Sequence, residues 1–403
     1  VPMPRSTNRT PGLLLAASVV LLVVTTTLGL NGSNGYYLDL MVYRLGAQAW
    51  LDGDPVYGAL PSLMHGSVHL PFTYPPLAAV VFAPLAAMPA GAAGALMYTL
   101  TFLAVGGTVW LVLRRLRPAV DPVTRLAAVV AVVAVAQFLE PVAQTLDFGQ
   151  INAILMVMVA FDVLVPWRRW PRGVLIGIAI SIKLTPAGFV LLFLVRRDWR
   201  ALATTIVSTA VAIGLVWLVM PDDSRTYWFE KVRETGRIGA AHYAGNQSIR
   251  GMVARWGLGE HTTAILWLGL SVIAVAAAAV WMRRLLAEDR LATALTVNAA
   301  AILLVSPISW SHHWVWVVPA LVIAAVAVLD GHRNAWFVGA LVLALVVFYT
   351  GAHWFFPIRH GAELRWAWWE QIIGSAYVWF TFAVLAAGAW HSRADVRNLI
   401  RVR

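Results

Sequence analysis

The sequence predicts an all-α polytopic integral membrane protein, and three observations carry that prediction. Of 403 residues, 60% are hydrophobic and only 12% are charged, about half the charged fraction of an ordinary soluble domain. Apolar runs recur along the whole chain, many of them close to the roughly 20 residues that cross a bilayer as a helix. The runs are continuous rather than alternating, which excludes a barrel. The positive charge sits almost entirely on arginines in short stretches between these runs. The formal net charge of +11 is therefore read as an orientation signal, and nucleic-acid binding is rejected.

The runs are 13–30, 76–90, 92–113, 126–139, 151–166, 173–195, 201–220, 262–282, 291–306, 314–329, 335–351 and 371–390. The first follows Arg5 and Arg9 and has no clear small-residue cleavage site after it, so it reads as a retained span. Basic loops at Arg114/Arg115/Arg117/Arg125, Arg168/Arg169/Arg172, Arg196/Arg197/Arg200 and Arg283/Arg284/Arg290, with the arginine-rich C-terminus, are expected to be cytoplasmic. That pattern conflicts with a crossing at 76–90, which is short and holds Pro76, Pro84 and Pro89. This run is expected to lie at the outer interface or to re-enter. The run 173–195 has arginines at both ends, so one straight crossing cannot satisfy both. Its centre, "IKLTP", should break the helix at Pro186.

The expectation is about twelve helices, both termini cytoplasmic, and one transmembrane domain over 1–403. The outer segments are then 31–75, 140–150, 221–261, the 306–313 junction and 352–370. There is no cysteine, so disulfides and thiolate metal sites are excluded.

These outer segments collect residues that membrane helices avoid. In the first, Leu38, Val42, Leu45 and Ala49 share a helical face, which suggests an interfacial helix. Asp39 in its first turn is either a carboxylate favoured by the helix dipole or a general base at the membrane surface. Asp54, before Pro55, reads as turn chemistry. Tyr74 lies in the proline-rich "LPFTYPP". "EPVAQTLDFGQIN" holds Glu140, Gln144, Thr145, Asp147, Gln150 and Asn152, and the last two open an apolar helix, where polar side chains usually face the bundle interior.

Lys183, one of two lysines in the chain, stands inside an apolar run. It is either ion-paired or snorkelling, or it is a cation for an anionic lipid headgroup, most simply phosphate. Asn246, Gln247 and Arg250 offer donors suited to sugar or phosphate oxygens, or simply solvate a loop. His312 and His313 are adjacent, about 100° apart on a helix, so one can line a site while the other packs. The surrounding Trp310, Trp314 and Trp316 fit an interfacial belt. No Gly-rich phosphate loop, HExxH or GxSxG motif occurs.

The segments "YLDLMVYR", "LPFTYPP", "DFGQIN", "KLTP", "NQSIRG" and "SPISWSHHWVW", in that order, resemble glycosyltransferase family 87 over about residues 13 to 390. The resemblance implies a GT-C-type bundle and an α-(1→2)-mannosyltransferase using polyprenyl-phosphate-mannose. It implies a mannosylated glycolipid acceptor, phosphatidylinositol mannoside or lipomannan/lipoarabinomannan, and chemistry on the outer face of the plasma membrane. Asp39 takes the place of the catalytic aspartate in the first outer loop. Lys183 and Arg250 are then expected at the donor phosphate. His312 or His313, Tyr74, Gln150, Asn152, Asn246 and Gln247 are expected at the substrate. No cofactor or metal is expected. The alternatives are another GT-C transferase with a different acceptor, or a polytopic lipid or sugar transporter.

Overall fold

The computed structural model describes residues 10–32, 37–63, 69–166, 169–358 and 360–401. Arg5, Arg9 and Arg168 lie outside the described residues, as do the arginine side chains of the C-terminal end. The described chain is all-α, with eighteen α-helices joined by short 3-10 turns.

A helix occupies every apolar run, but few are long straight spans. Five helices are long and apolar enough to cross a membrane by length and composition: Thr10–Gly29, Ala90–Leu116, Trp199–Val219, Glu260–Ala287 and Ser311–Leu329. A sixth is counted if Pro122–Ala136 and Glu140–Phe148, bent by 80° at the break between them, form one span. The chain is thus a multi-pass membrane protein. The remaining apolar helices are shorter, and the 11-residue Pro76–Ala86 is too short to cross.

Local chemistry explains where helices start and break. Asp121 accepts hydrogen bonds from the backbone N–H groups of Val123 and Thr124, with Pro122 at the first helical position. The run 173–195 breaks where the sequence indicates. Helix Val174–Ile182 stops at Lys183, whose backbone is extended (φ −150°, ψ 131°). A 3-10 turn, Thr185–Phe189, begins around Pro186 and leads into Val190–Arg196.

Helix Leu38–Asp52 differs from expectation in the face it buries. Leu40, Val42, Tyr43, Gly46 and Ala47 are buried, whereas Leu38, Leu45 and Ala49 are only partly covered. The reason is Gly46: a Cβ there would lie 2.2 Å from the Phe72 ring, so the bare backbone lets the Phe72–Tyr74 strap lie directly on the helix. That contact turns the Tyr43 face inward.

The two ends of the bundle differ in chemistry. Arg115, Arg172, Arg196, Asp198 and Asp289 are electrostatic neighbours, so four of the basic loops gather at one end. Segments read as outer gather at the other. Asp223 accepts from the Val56 backbone N–H, Arg237 donates to the Phe72 and Thr73 carbonyls, and Trp354 donates to Glu140.

Two hydrophobic cores are present. The larger holds Val105, Met156, Phe189, Leu304, Trp314 and Tyr377 among others. The smaller holds Leu40, Tyr43, Phe72, Tyr74, Phe82, Leu155 and Ile182. Helix Asn152–Leu164 contributes to both, and the polar residues discussed next lie along the seam between them.

Candidate active site

Five chain segments meet at the seam. Helix Leu38–Asp52 supplies Asp39 and, one turn on, Tyr43. The strap before Pro75 supplies Tyr74. The bend after helix Glu140–Phe148 supplies Gln150 and Asn152, the break in the 174–196 run supplies Lys183, and the 3-10 turn Ser311–Trp316 supplies the histidines. Gly149 makes the Gln150 bend feasible. Its φ is +65°, and a Cβ there would sit 2.8 Å from Leu40 Cβ, so a glycine lets this bend press against the helix carrying Asp39.

Asp39 is partly exposed, with the Gln150 amide and Lys183 as its polar and charged neighbours. Loss of hydration pushes its carboxyl up to about 6, against the lowering effects of Gln150 and Lys183. Tyr43 is fully buried and stacks on Phe82 at 4.1 Å between ring centroids. Its hydroxyl donates to Gln150 Oε1 at 2.7 Å and lies 2.9 Å from the Tyr74 hydroxyl.

Across the seam, Lys183 Nζ donates to Asn152 Oδ1 at 2.7 Å and lies 3.2 Å from His313 Nε2. It also stands 5.2 Å from the Tyr74 ring centroid. An ammonium group only donates, so His313 Nε2 accepts and its proton sits on Nδ1. That Nδ1 is buried without a hydrogen-bond partner. His312 is buried, with its ring edge-on to Phe148 at 5.3 Å. Its carbonyl accepts from Asn152 Nδ2 at 3.1 Å and from Thr145 Oγ1 at 3.0 Å. His313 is thus the histidine beside Lys183, while His312 packs and fixes the turn.

The structure brings Asp39, Tyr74, Gln150, Asn152, Lys183 and His313 together. Of the other four candidates, His312 packs beside the cluster and three lie elsewhere. Asn246 Nδ2 donates to the carbonyls of Ala241 and Pro307, and its Oδ1 accepts from Ser309 N–H at 3.0 Å. Gln247 Nε2 donates to the Ala244 and Gly374 carbonyls, and its backbone N–H donates to Ser309. These residues build the loop that backs the histidine turn. Arg250 stacks over the Trp267 ring, 5.4 Å from its centroid.

Four residues that sequence reasoning did not single out for the site shape it. Tyr43 follows Asp39 by four residues, a helical spacing that the sequence displays. Arg237 clamps the strap carrying Tyr74 through the Phe72 and Thr73 carbonyls, at 2.9 and 3.1 Å. Arg255, fully buried, donates to the Tyr243 and Asn246 carbonyls and to Ser375 Oγ. Glu140 is buried behind the histidine turn and accepts from Trp354 Nε1 and the Tyr377 hydroxyl, each at 2.7 Å. Among the described residues, no three histidine, aspartate or glutamate side chains are grouped as a metal site.

Two cavities adjoin the cluster. A small one of about 40 Å³ is lined by Asn152, His313, Thr185, Ser306, Leu303 and Trp316. A long apolar groove of about 690 Å³ shares Leu303 and Trp316 with it and continues past Phe337, Phe348 and Phe380 to Arg284 and Arg290.

A profile described as Glycosyltransferase family 87 matches residues 72–307, more than half of the chain. The chain belongs to glycosyltransferase family 87. The family span includes Tyr74, Gln150, Asn152, Lys183, Asn246, Gln247 and Arg250, while Asp39 and both histidines flank it. Two relatives share one description, "Polyprenol-phosphate-mannose-dependent alpha-(1-2)-phosphatidylinositol mannoside mannosyltransferase". The one from Mycobacterium tuberculosis is 39% identical over 88% of this chain and 85% of its own length. The one from Mycolicibacterium smegmatis is 41% identical over 88% and 84%. One solved structure, ArnT from Cupriavidus metallidurans bound to undecaprenyl phosphate, aligns with 95% of this chain and 78% of its own. Its TM-score is 0.40 at 18% identity. Membership of a glycosyltransferase family displaces the transporter alternative.

Proposed function

We propose that this family 87 member moves mannose from polyprenyl-phosphate-mannose to a mannosyl group of a phosphatidylinositol mannoside or of lipomannan/lipoarabinomannan, forming an α-(1→2) bond. The observation that carries this reading is the meeting of Asp39 and Lys183 as electrostatic neighbours at one seam, with Lys183 Nζ anchored to Asn152 Oδ1 of the Gln150–Asn152 bend. The relatives named above supply the sugar, donor and acceptor.

The donor sugar is β-linked and the product α-linked, so one inverting displacement suffices. The acceptor 2-hydroxyl oxygen attacks the anomeric carbon while Asp39 takes its proton. The bond from that carbon to the phosphate oxygen breaks, and the electron pair leaves with polyprenyl phosphate. The transition state has oxocarbenium character, as in glycoside hydrolysis. Lys183 faces the departing phosphate, whose charge grows as the bond breaks. His313, beside Lys183, lines the small cavity with Asn152, and its Nδ1–H, which has no hydrogen-bond partner in the protein, is assigned to a substrate oxygen. The apolar groove beyond Leu303 and Trp316 suits the polyprenyl chain.

The same reading gives a GT-C-type bundle of about twelve crossings with the site on the outer face and both termini cytoplasmic. A helix in every apolar run and the arginine-rich opposite end support it. Because the chain lacks cysteine, single cysteines at Asp54 and Arg169 test orientation directly. An impermeant thiol reagent should label the first and spare the second in intact cells. The reverse pattern refutes the orientation.

The deciding experiment is a transfer assay with purified protein, synthetic polyprenyl-phosphate-mannose and a phosphatidylinositol mannoside. Wild type should form an α-1,2-linked product. Asp39→Asn should lose about 10²–10⁴-fold, the usual worth of a general base. Unchanged transfer by Asp39→Asn removes the base assignment.

A further inference from the structure

We propose that Asp162 is a positioning residue for Lys183: it anchors the start of the short helix that ends at Lys183, and together with Asn152 it sets how far that helix reaches along its neighbour. The inference rests on Lys183 facing the departing phosphate, as proposed above.

Asp162 lies near the end of helix Asn152–Leu164 and is fully buried. A buried carboxylate in such a bundle is costly unless its oxygens are bonded. Its Oδ2 accepts from two backbone N–H groups at the start of helix Val174–Ile182, from Gly173 at 2.9 Å and from Ile176 at 3.1 Å. These are N–H groups that a helix cannot satisfy within itself. A side chain at the residue just before the helix usually meets them, but that residue is Gly173 and has none to offer. Nor is there room for one. Its φ is +105°, and a Cβ there would lie 2.4 Å from the Ala201 carbonyl oxygen. The cap therefore comes from the neighbouring helix, and it ties two helices together where a local cap would tie none.

The same two helices are tied again at their other end, where Lys183 Nζ donates to Asn152 Oδ1 at 2.7 Å. Asn152 and Asp162 are ten residues apart, and so are Gly173 and Lys183. At about 1.5 Å per residue, both anchors are about 15 Å apart along their helices. The pair thus runs antiparallel in matched register. Between the anchors the contacts are apolar: Ile176 and Ile180 belong to the larger core, Ala179 and Ile182 to the smaller. Apolar burial is non-directional, so it opposes separation of the helices more than sliding. Ser208 Oγ donates to the Val174 carbonyl at 2.9 Å, which holds the short helix to helix Trp199–Val219 and not to Asn152. Beyond Lys183 the backbone leaves the helix, so the height of the ammonium in the seam is set from the anchored end. A slide there moves Nζ against Asn152, His313 and the phosphate together, although Asp162 touches none of them.

The test is steady-state transfer from synthetic polyprenyl-phosphate-mannose by purified Asp162→Ala, Asp162→Asn, Lys183→Met and the double variant Asp162→Ala with Lys183→Met. In Asp162→Ala both N–H groups lose their acceptor and the helix is released. Its kcat should fall about 10-fold, a displacement of less than 1 Å at the phosphate. Donor KM should rise, while acceptor KM stays within about two-fold of wild type. Asp162→Asn keeps an oxygen for the two N–H groups and should hold kcat within about three-fold of wild type. Because Asp162 acts through Lys183, the double variant should match Lys183→Met within about two-fold. Losses that multiply in the double variant, an asparagine variant as impaired as the alanine one, or an acceptor KM that rises with the donor KM each overturn the inference. A fold defect alone would lower Tm and the yield of active enzyme without this dependence on Lys183. Asp162→Glu keeps the carboxylate and lengthens it by one methylene, so it tests register even where the alanine variant does not fold. Its kcat should also fall, again without further loss on top of Lys183→Met, and an unchanged kcat at unchanged Tm overturns the inference. If Lys183→Met itself keeps kcat near wild type, the phosphate reading fails. If it loses kcat while Asp162→Ala does not, only the anchor fails.

Discussion

Replacing Lys183 with methionine separates its role in the reaction from its role in the fold. A donor phosphodiester binds with one negative charge and departs as a monoester with nearly two. At about 4 Å and an effective dielectric of about 20, each unit of charge interacts with an ammonium by about 4 kcal/mol, taken as an upper bound. With about half of the second charge developed at the transition state, the differential term is about 2 kcal/mol, or about 30-fold in kcat. The charge already present in the donor appears in KM instead. Methionine retains most of the stem volume, but Asn152 Oδ1 loses its 2.7 Å donor, a loss of about 1–3 kcal/mol in stability. The expected outcome is a kcat lower by up to about 30-fold, a raised donor KM and a modestly lower Tm. The assay is transfer from synthetic polyprenyl-phosphate-mannose in detergent, with kcat and KM resolved by donor titration. A kcat within about three-fold of wild type refutes the placement of Lys183 at the phosphate.

Other perturbations follow from the scaffold around the site. Gly149→Ala forces an L-residue to a φ of +65° and drives a Cβ to 2.8 Å from Leu40. Stability should fall by at least about 1–2 kcal/mol, with a lower kcat because Gln150 shifts relative to Asp39; Tm and kcat on the purified variant check both. Arg237→Gln removes charge-assisted bonds to the Phe72 and Thr73 carbonyls, each typically about 1.5–3 kcal/mol. Limited proteolysis should then cut the Leu70–Tyr74 strap faster than in wild type. Asn246→Ala strands the Ser309 N–H that its side chain receives. Its Tm should drop while the acceptor KM stays within about two-fold of wild type, and a several-fold rise in KM at unchanged Tm would instead make Asn246 a sugar contact.

How far the sequence reveals the site depends on what each residue violates. Lys183 and Asp39 stand out because an ionised group beside or within an apolar run is expensive, and Pro186 marks the helix break in the same few residues. Gln150 and Asn152 stand out because they open an apolar helix. Asn246 and Gln247 carry the same chemical groups but spend them on backbone carbonyls, and composition alone does not separate the two uses. Arg237 is hidden because its distant partners are the main-chain carbonyls of Phe72 and Thr73, and Arg255 because it bonds nearby carbonyls and a serine hydroxyl from the far end of the chain. Glu140 was legible only as loop polarity, since its burial depends on the 80° bend and on Trp354 and Tyr377 arriving from the other end of the chain. The face of helix Leu38–Asp52 was misplaced for a related reason. Phe72 lies on Gly46, and that contact overrides the hydrophobic pattern of the helix taken alone. The helices themselves were readable from apolar run length, but their breaks and bends leave fewer long straight spans than runs.

The seam between the two cores has an evolutionary consequence. Asp39, Tyr43 and Tyr74 ride on one packed body, the histidine turn rides on the other, and the Gln150–Asn152 bend bridges them. A substitution deep in either body that slides it against its neighbour alters the gap between the base and the histidine turn without touching substrate. Displacements near 1 Å change rates by about 10²-fold. Descendants of such an enzyme can therefore drift in acceptor preference through changes in hydrophobic side chains far from the chemistry, and the residues that distinguish two family members need not be among those that contact sugar.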